Sequence, residues 1–160
     1  MRNILENRRD EHIANIAKLF DGLSERNQFW KKKNYYYRQE IDRFYKDMIP
    51  EGKDILEIGS GDGNLLYKLK PKNGVGIDVS ANMVDVAKKQ YPDLRFLNLK
   101  IEDHDIDGDF DYVIISNLLE YVFDIYDFFD KLSMNISSKT KIVITGVNPL
   151  WEPIMKIAQG

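Results

Sequence analysis

The stretch Ile55-Leu56-Glu57-Ile58-Gly59-Ser60-Gly61-Asp62-Gly63-Asn64-Leu65-Leu66 constrains the fold of this chain more than any other. A short apolar run enters glycines at alternate positions and leaves in an apolar helical pattern, which is a strand, a tight turn and a helix start. Glycine lets the backbone bend sharply there and come within contact of a ligand. A second apolar run ends at Asp78 in Gly76-Ile77-Asp78-Val79-Ser80. That is about 20 residues after the first strand, the separation at which a carboxylate accepts from the hydroxyls of a ribose. The two features together read as a nucleoside site on an α/β sheet.

The dinucleotide pattern G-x-G-x-x-G would need glycine at position 64, and this chain has Asn64 with its third glycine at Gly63. A pyrophosphate also belongs on a helix N-terminus, whose dipole and free N–H groups favour anions, yet Asp62 sets a carboxylate in that turn. NAD is therefore disfavoured. S-adenosylmethionine has no phosphate and carries a sulfonium and an ammonium, so acids around the turn suit it.

The pattern E-x-G-x-G-x-G at Glu57, Gly59, Gly61 and Gly63 resembles motif I of the class I S-adenosylmethionine-dependent methyltransferases, and Asp78 is similar to the family's ribose-binding acid. The segment Ser80 to Lys88 resembles the helix that follows, with Met83 where a methionine often packs on adenine; from the residues alone, Met83 reads as core. Phe110-Asp111-Tyr112-Val113-Ile114-Ile115-Ser116-Asn117 is similar to the family's fourth strand, whose end lies beside the methionine part of the cofactor. The resemblance runs from about Lys53 to Val147. It implies S-adenosylmethionine as cofactor and S-adenosylhomocysteine as product. The site it implies comprises Glu57, Gly59, Ser60, Gly61, Asp62, Gly63, Asp78, Val79, Met83, Ser116 and Asn117. Where the family commonly has an acid for the adenine amino group this chain has Lys100, which leaves Ile101 and Glu102 as the adenine candidates. The segment Tyr35-Tyr36-Tyr37-Arg38 resembles a helical lid, with Tyr37 or Arg38 toward the cofactor and Arg38 a partner for its carboxylate.

At 160 residues the chain is long enough for one domain with a real core. Its net charge of −3 and the lack of a long basic run argue against nucleic acid as substrate. The cations and aromatics of Trp30 to Arg38 read better as a solvated helix face. With no cysteine, and only His12 and His104, no metal site is expected. No apolar run reaches bilayer length and no secretory signal opens the chain, so the default expectation is a cytoplasmic protein.

Apolar spacing predicts helices near 4–20 and 27–48. Strands follow near 53–58, 74–79, 94–98, 110–116 and 140–146, with helices near 64–70, 81–90 and 121–135. This alternation predicts an α/β, Rossmann-like, doubly wound and mostly parallel sheet of about five strands. Helices cover both its faces, and two N-terminal helices precede it. A single domain over 1–160 is expected, with a helical lid over 1–50, a cofactor-binding core over 51–148 and a C-terminal helix over 149–160. The family's last two strands have no counterpart here, so an N-terminal portion of a longer methyltransferase is expected. The other reading of the apolar fifth-strand edge is a homodimer interface.

Methyl transfer asks chiefly for alignment and exclusion of water, because the sulfonium is already a good leaving group. No catalytic residue is assigned. The candidates are Asn117, Glu120, Tyr121 and His104; His104, among acids, reads as an exposed loop residue, and Tyr121 as core. The reading is a methyltransferase acting on a small molecule, lipid precursor or glycan-related acceptor. The alternative is a cofactor-binding module without turnover, or an incomplete fragment of a larger protein.

Overall fold

The computed structural model describes residues 2–25, 35–101, 106 and 108–146. Helices α1 (Arg2–Glu25) and α2 (Tyr35–Met48) precede the sheet. Strand β1 (Asp54–Ile58) is followed by α3 (Asn64–Lys68), β2 (Asn73–Asp78), α4 (Ala81–Gln90) and β3 (Arg95–Asn98). Strand β4 (Tyr112–Ser116), a 3-10 turn over Leu119–Tyr121, α5 (Ile125–Met134) and β5 (Lys141–Thr145) complete the described order. The expected helix over 149–160 lies outside the described residues.

The strands pair in parallel in the order β3-β2-β1-β4-β5. Ile58 of β1 stands beside Ile77 of β2 and Ile115 of β4, and Ser116 of β4 beside Thr145 of β5, so the carboxyl ends finish at one level. From β1 the chain builds outward through β2 and β3, then returns to lay β4 on the other side. Ligands of open α/β sheets sit at that reversal, beyond the carboxyl ends.

Alternation along the strands divides the core. Ile55, Tyr112, Ile114 and Val143 pack with Tyr45 of α2, Ile49 just beyond its end, Leu66 of α3 and Val84 and Ala87 of α4. Leu56, Ile58, Val113 and Ile115 face the opposite side with Phe128 and Leu132 of α5. Each fully buried valine, leucine, isoleucine or phenylalanine among them contributes roughly 1.5–3 kcal/mol.

One boundary differs from the sequence pattern. The helix expected from residue 121 begins at Ile125, because the Asp124 side chain caps it, accepting from the N–H groups of Tyr126 at 2.9 Å and Asp127 at 3.1 Å. Tyr121 therefore ends a 3-10 turn instead of starting a helix. On β5, Ile142 and Ile144 remain 39% and 42% exposed, and β4 is its partner among the described strands.

Candidate cofactor cleft at the carboxyl ends of the strands

The turn after β1 is organised by acids that the chain uses internally. Glu57 points to the α3 face of the sheet, is 3% exposed, and accepts from the Leu66 N–H at 3.1 Å. Asp62, 6% exposed, accepts from the Asn64 N–H at 3.3 Å and pairs with the Arg38 guanidinium at 3.6 Å. The Asn64 and Leu66 N–H groups, which open α3, are thus engaged by carboxylates of the chain itself, which removes donors that a pyrophosphate would require. Burial, and then the charge of Asp62, push the Glu57 carboxyl well above the usual range.

Asp78 crosses the mouth of the turn. Its carboxylate accepts from the Gly61 N–H and the Ser80 N–H, both at 2.8 Å. Burial raises its pKa, against the pull of those two hydrogen bonds. Ser80 in turn caps α4 by accepting from the Met83 N–H at 3.2 Å.

Two cavities open above the strand ends. The first, about 300 Å³, is bounded by Gly59, Gly61, Asp78, Val79, Leu99 and Ile101 on the sheet side. Its roof is Ile13, Ile16 and Phe20 of α1, and its far wall is the Leu118–Phe123 segment except for Leu119. The second, about 380 Å³, lies toward α2, against Arg38, Ile41, Glu57, Ser60, Asp62 and Met83.

Helix α1 is held to the loops around the first cavity by polar contacts. Asp21 accepts from the Ser80 hydroxyl and from the Asn82 N–H. Asp10 pairs with Lys100 at 3.0 Å, and the His12 ring nitrogen Nε2 lies 2.9 Å from the Tyr121 carbonyl. Phe20 meets Tyr121 edge to face at 5.2 Å.

At the end of β4, Asn117 takes a left-handed conformation, φ 51°, and its N–H donates to the Thr145 carbonyl at 2.9 Å. The Thr145 hydroxyl bridges Ser116, at 3.3 Å, to the fully buried Tyr45 phenol, at 3.0 Å. Helix α2 thereby braces the centre of the cleft from behind.

Residues 56–138, more than half of the chain, match the methyltransferase domain family. This chain belongs to that family. The putative methyltransferase 235L of Invertebrate iridescent virus 6 is 25% identical to this methyltransferase domain over 118 residues, 71% of the chain and 44% of that protein. The chain thus spans less than half the length of that curated relative. A TehB-like SAM-dependent methyltransferase from Corynebacterium glutamicum superposes with a TM-score of 0.63 at 19% identity, over 87% of this chain and 83% of its own. A SAM-dependent methyltransferase from Geobacter sulfurreducens, solved with S-adenosyl-L-homocysteine, superposes with a TM-score of 0.52 at 17% identity, over 62% and 44% of the two chains. Such likenesses establish the Rossmann-like methyltransferase fold.

Within this methyltransferase domain Gly59, Gly61, Asp78, Val79, Ile101, Ser116 and Asn117 meet at the first cavity. Glu57, Ser60, Asp62, Met83 and Arg38 meet at the second, with Met83 also 8% exposed in the core. Arg38 already has a partner in Asp62. Gly63 lines neither of these cavities: a Cβ there would stand 2.5 Å from the Phe96 ring, so its role is helix-on-strand packing. Glu102, His104 and the Tyr37 side chain lie outside the described residues. Tyr121 is half-buried and faces the first cavity instead of the core. Residues that sequence reasoning did not single out are Ile13, Ile16 and Phe20; their helical spacing was visible, but not what they cover. Among the described residues no helix is long and apolar enough to cross a membrane.

Proposed function

We propose that this chain is an S-adenosylmethionine-dependent methyltransferase that holds its cofactor across the carboxyl ends of β1, β2 and β4. The observation that carries this reading is the Asp78 carboxylate, fixed over the glycine turn by the Gly61 and Ser80 N–H groups and bordering an apolar-roofed cavity. Three further observations support the fit. A Cβ built on Gly61 meets nothing within 4 Å, so glycine there leaves the cavity clear. The Ser60 hydroxyl, beside the second cavity, is buried without a hydrogen-bond partner among the described residues. The α3 N–H groups are engaged by Asp62 and Glu57, which disfavours a phosphate-bearing nucleotide.

In this reading Asp78 accepts from the ribose hydroxyls, Val79, Leu99 and Ile101 flank the adenine, and Gly59, Ser116, Asn117 and Arg38 surround the amino-acid end. S-adenosylmethionine supplies an electrophilic methyl on a sulfonium that leaves readily. The chain's own part is to align and to exclude water, through Ile13, Ile16 and Phe20 above and Leu118 and Val122 beside the cavity. Burial and the neighbouring Glu120 raise the Tyr121 pKa, so its phenol is a hydrogen-bond donor at neutral pH and not a base. The proposed acceptor is a small molecule, lipid precursor or glycan-related compound, not nucleic acid, met in the cytoplasm. The proposed organisation is one domain over 1–160 with residues 1–50 as a lid, and a homodimer through the β5 edge.

A calorimetric titration with S-adenosylmethionine, S-adenosylhomocysteine and NAD tests this. Saturable binding of the first two, lost in Asp78→Ala and absent for NAD, is the expected result. Preference for NAD, or affinities untouched by Asp78→Ala, would overturn it.

A further inference from the structure

The two cavities share Phe20, Gly59, Gly61, Ser116 and Asn117, and Phe20 is the aromatic side chain among them. Resting on the cofactor reading above, a ligand with a nucleoside at one end and an amino acid at the other passes this junction with its central sulfur. The residues that border both cavities carry no formal charge. Asp78 is engaged by two N–H groups, Glu57 is turned beneath α3, and Asp62 is paired with Arg38. What remains at the crossing is glycine backbone, the Ser116 hydroxyl, the Asn117 amide and a ring.

We infer that Phe20 is a specificity-determining residue that reads the charge on sulfur, its ring face favouring the sulfonium of S-adenosylmethionine over the neutral thioether of S-adenosylhomocysteine. An aromatic ring carries negative potential over its face and attracts a poorly hydrated cation, the interaction that selects quaternary ammonium ligands. Tyr121 fixes the ring through the edge-to-face contact at 82° between planes, and Asp21 on the next position anchors this end of α1 to Ser80. The functional consequence is directional: the charged donor is retained, and the product, which has lost both methyl and charge, is released.

The test compares two ligands that differ by one methyl group and one positive charge. Wild-type chain, Phe20→Leu and Phe20→Tyr are titrated with S-adenosylmethionine and S-adenosylhomocysteine. Leucine keeps an apolar side chain and removes the ring; tyrosine keeps the ring. The expected result is that Phe20→Leu weakens S-adenosylmethionine by about two- to thirtyfold and S-adenosylhomocysteine by no more than about twofold, while Phe20→Tyr preserves the wild-type ratio. Undiminished binding of S-adenosylhomocysteine also reports that the variant is folded. Equal weakening of both ligands, or no change in either, would overturn the inference while leaving the cofactor reading intact. Failure of the wild-type chain to bind either ligand removes the cofactor reading, and this inference with it.

Discussion

Gly61 and Gly63 stand two residues apart in one turn, both at positive φ, yet a methyl group added to each meets different surroundings. At Gly61 it enters open space, so Gly61→Ala carries only the backbone penalty of about 1–2 kcal/mol. It also narrows the cleft. At Gly63 it meets the Phe96 ring at 2.5 Å and Ala87 at 3.2 Å, which adds overpacking of about 1–3 kcal/mol. Urea denaturation is expected to show the larger stability loss for Gly63→Ala, and calorimetry the larger loss of cofactor affinity, relative to stability lost, for Gly61→Ala. Equal effects in both assays would refute this division of labour. Glu57 gives a pH prediction. Its folded pKa is raised above the unfolded value, so the stability linked to its protonated form is complete below the unfolded pKa and lost as pH rises through the folded one. Glutamine at this position keeps an acceptor for the Leu66 N–H and does not ionise. The stability of wild type minus that of Glu57→Gln is therefore expected to fall between acid and neutral pH, and a flat difference would contradict the assignment. The letters E-x-G-x-G-x-G were legible in the sequence, but not that Glu57 holds the start of α3, that Gly63 serves packing and that Gly61 opens onto the cavities.

Helix α1 shows what element-level reading can and cannot reach. Its spacing announced a helix, and the helix is there, with termini at Arg2 and Glu25. Which of its residues face the cleft was hidden, because Ile13, Ile16 and Phe20 are only half-buried and their spacing alone names no partner. The lid expected over 1–50 includes α1, but the residues singled out within it were those of Tyr35–Arg38, which lies on α2 and borders the second cavity through Arg38. The anchors of α1 are unequal. The Asp10–Lys100 pair is a surface pair in high dielectric and contributes little. The Asp21 carboxylate receives a hydroxyl that is 0% exposed, and losing it strands Ser80. Amide exchange over residues 9–22 is accordingly expected to rise by roughly tenfold or more in Asp21→Ala and much less in Asp10→Ala, with β1 unchanged in both. A larger effect from Asp10→Ala would reverse this ranking.

At the scale of the molecule, the alternation of strands and helices was sufficient to predict a parallel Rossmann-like sheet, because each strand's apolar run is short and each is bounded by a turn signal. The five strands fall within a few residues of their expected places. The hydroxyl bridge from Tyr45 through Thr145 to Ser116 was not legible, since it joins residues 100 positions apart whose letters carry no mutual signal. The roof over the cleft belongs to the same class of long-range fact. His12 and Tyr121 are separated by 109 positions, and α1 also reaches Ser80 and Lys100. During synthesis, then, α1 meets its first partners among the described residues at Ser80 and Asn82, 59 and 61 positions beyond Asp21, and meets Tyr121 only after β4. The roof of the cleft is thus made before its floor, and closes only once the strands beneath it and the loop after β4 exist.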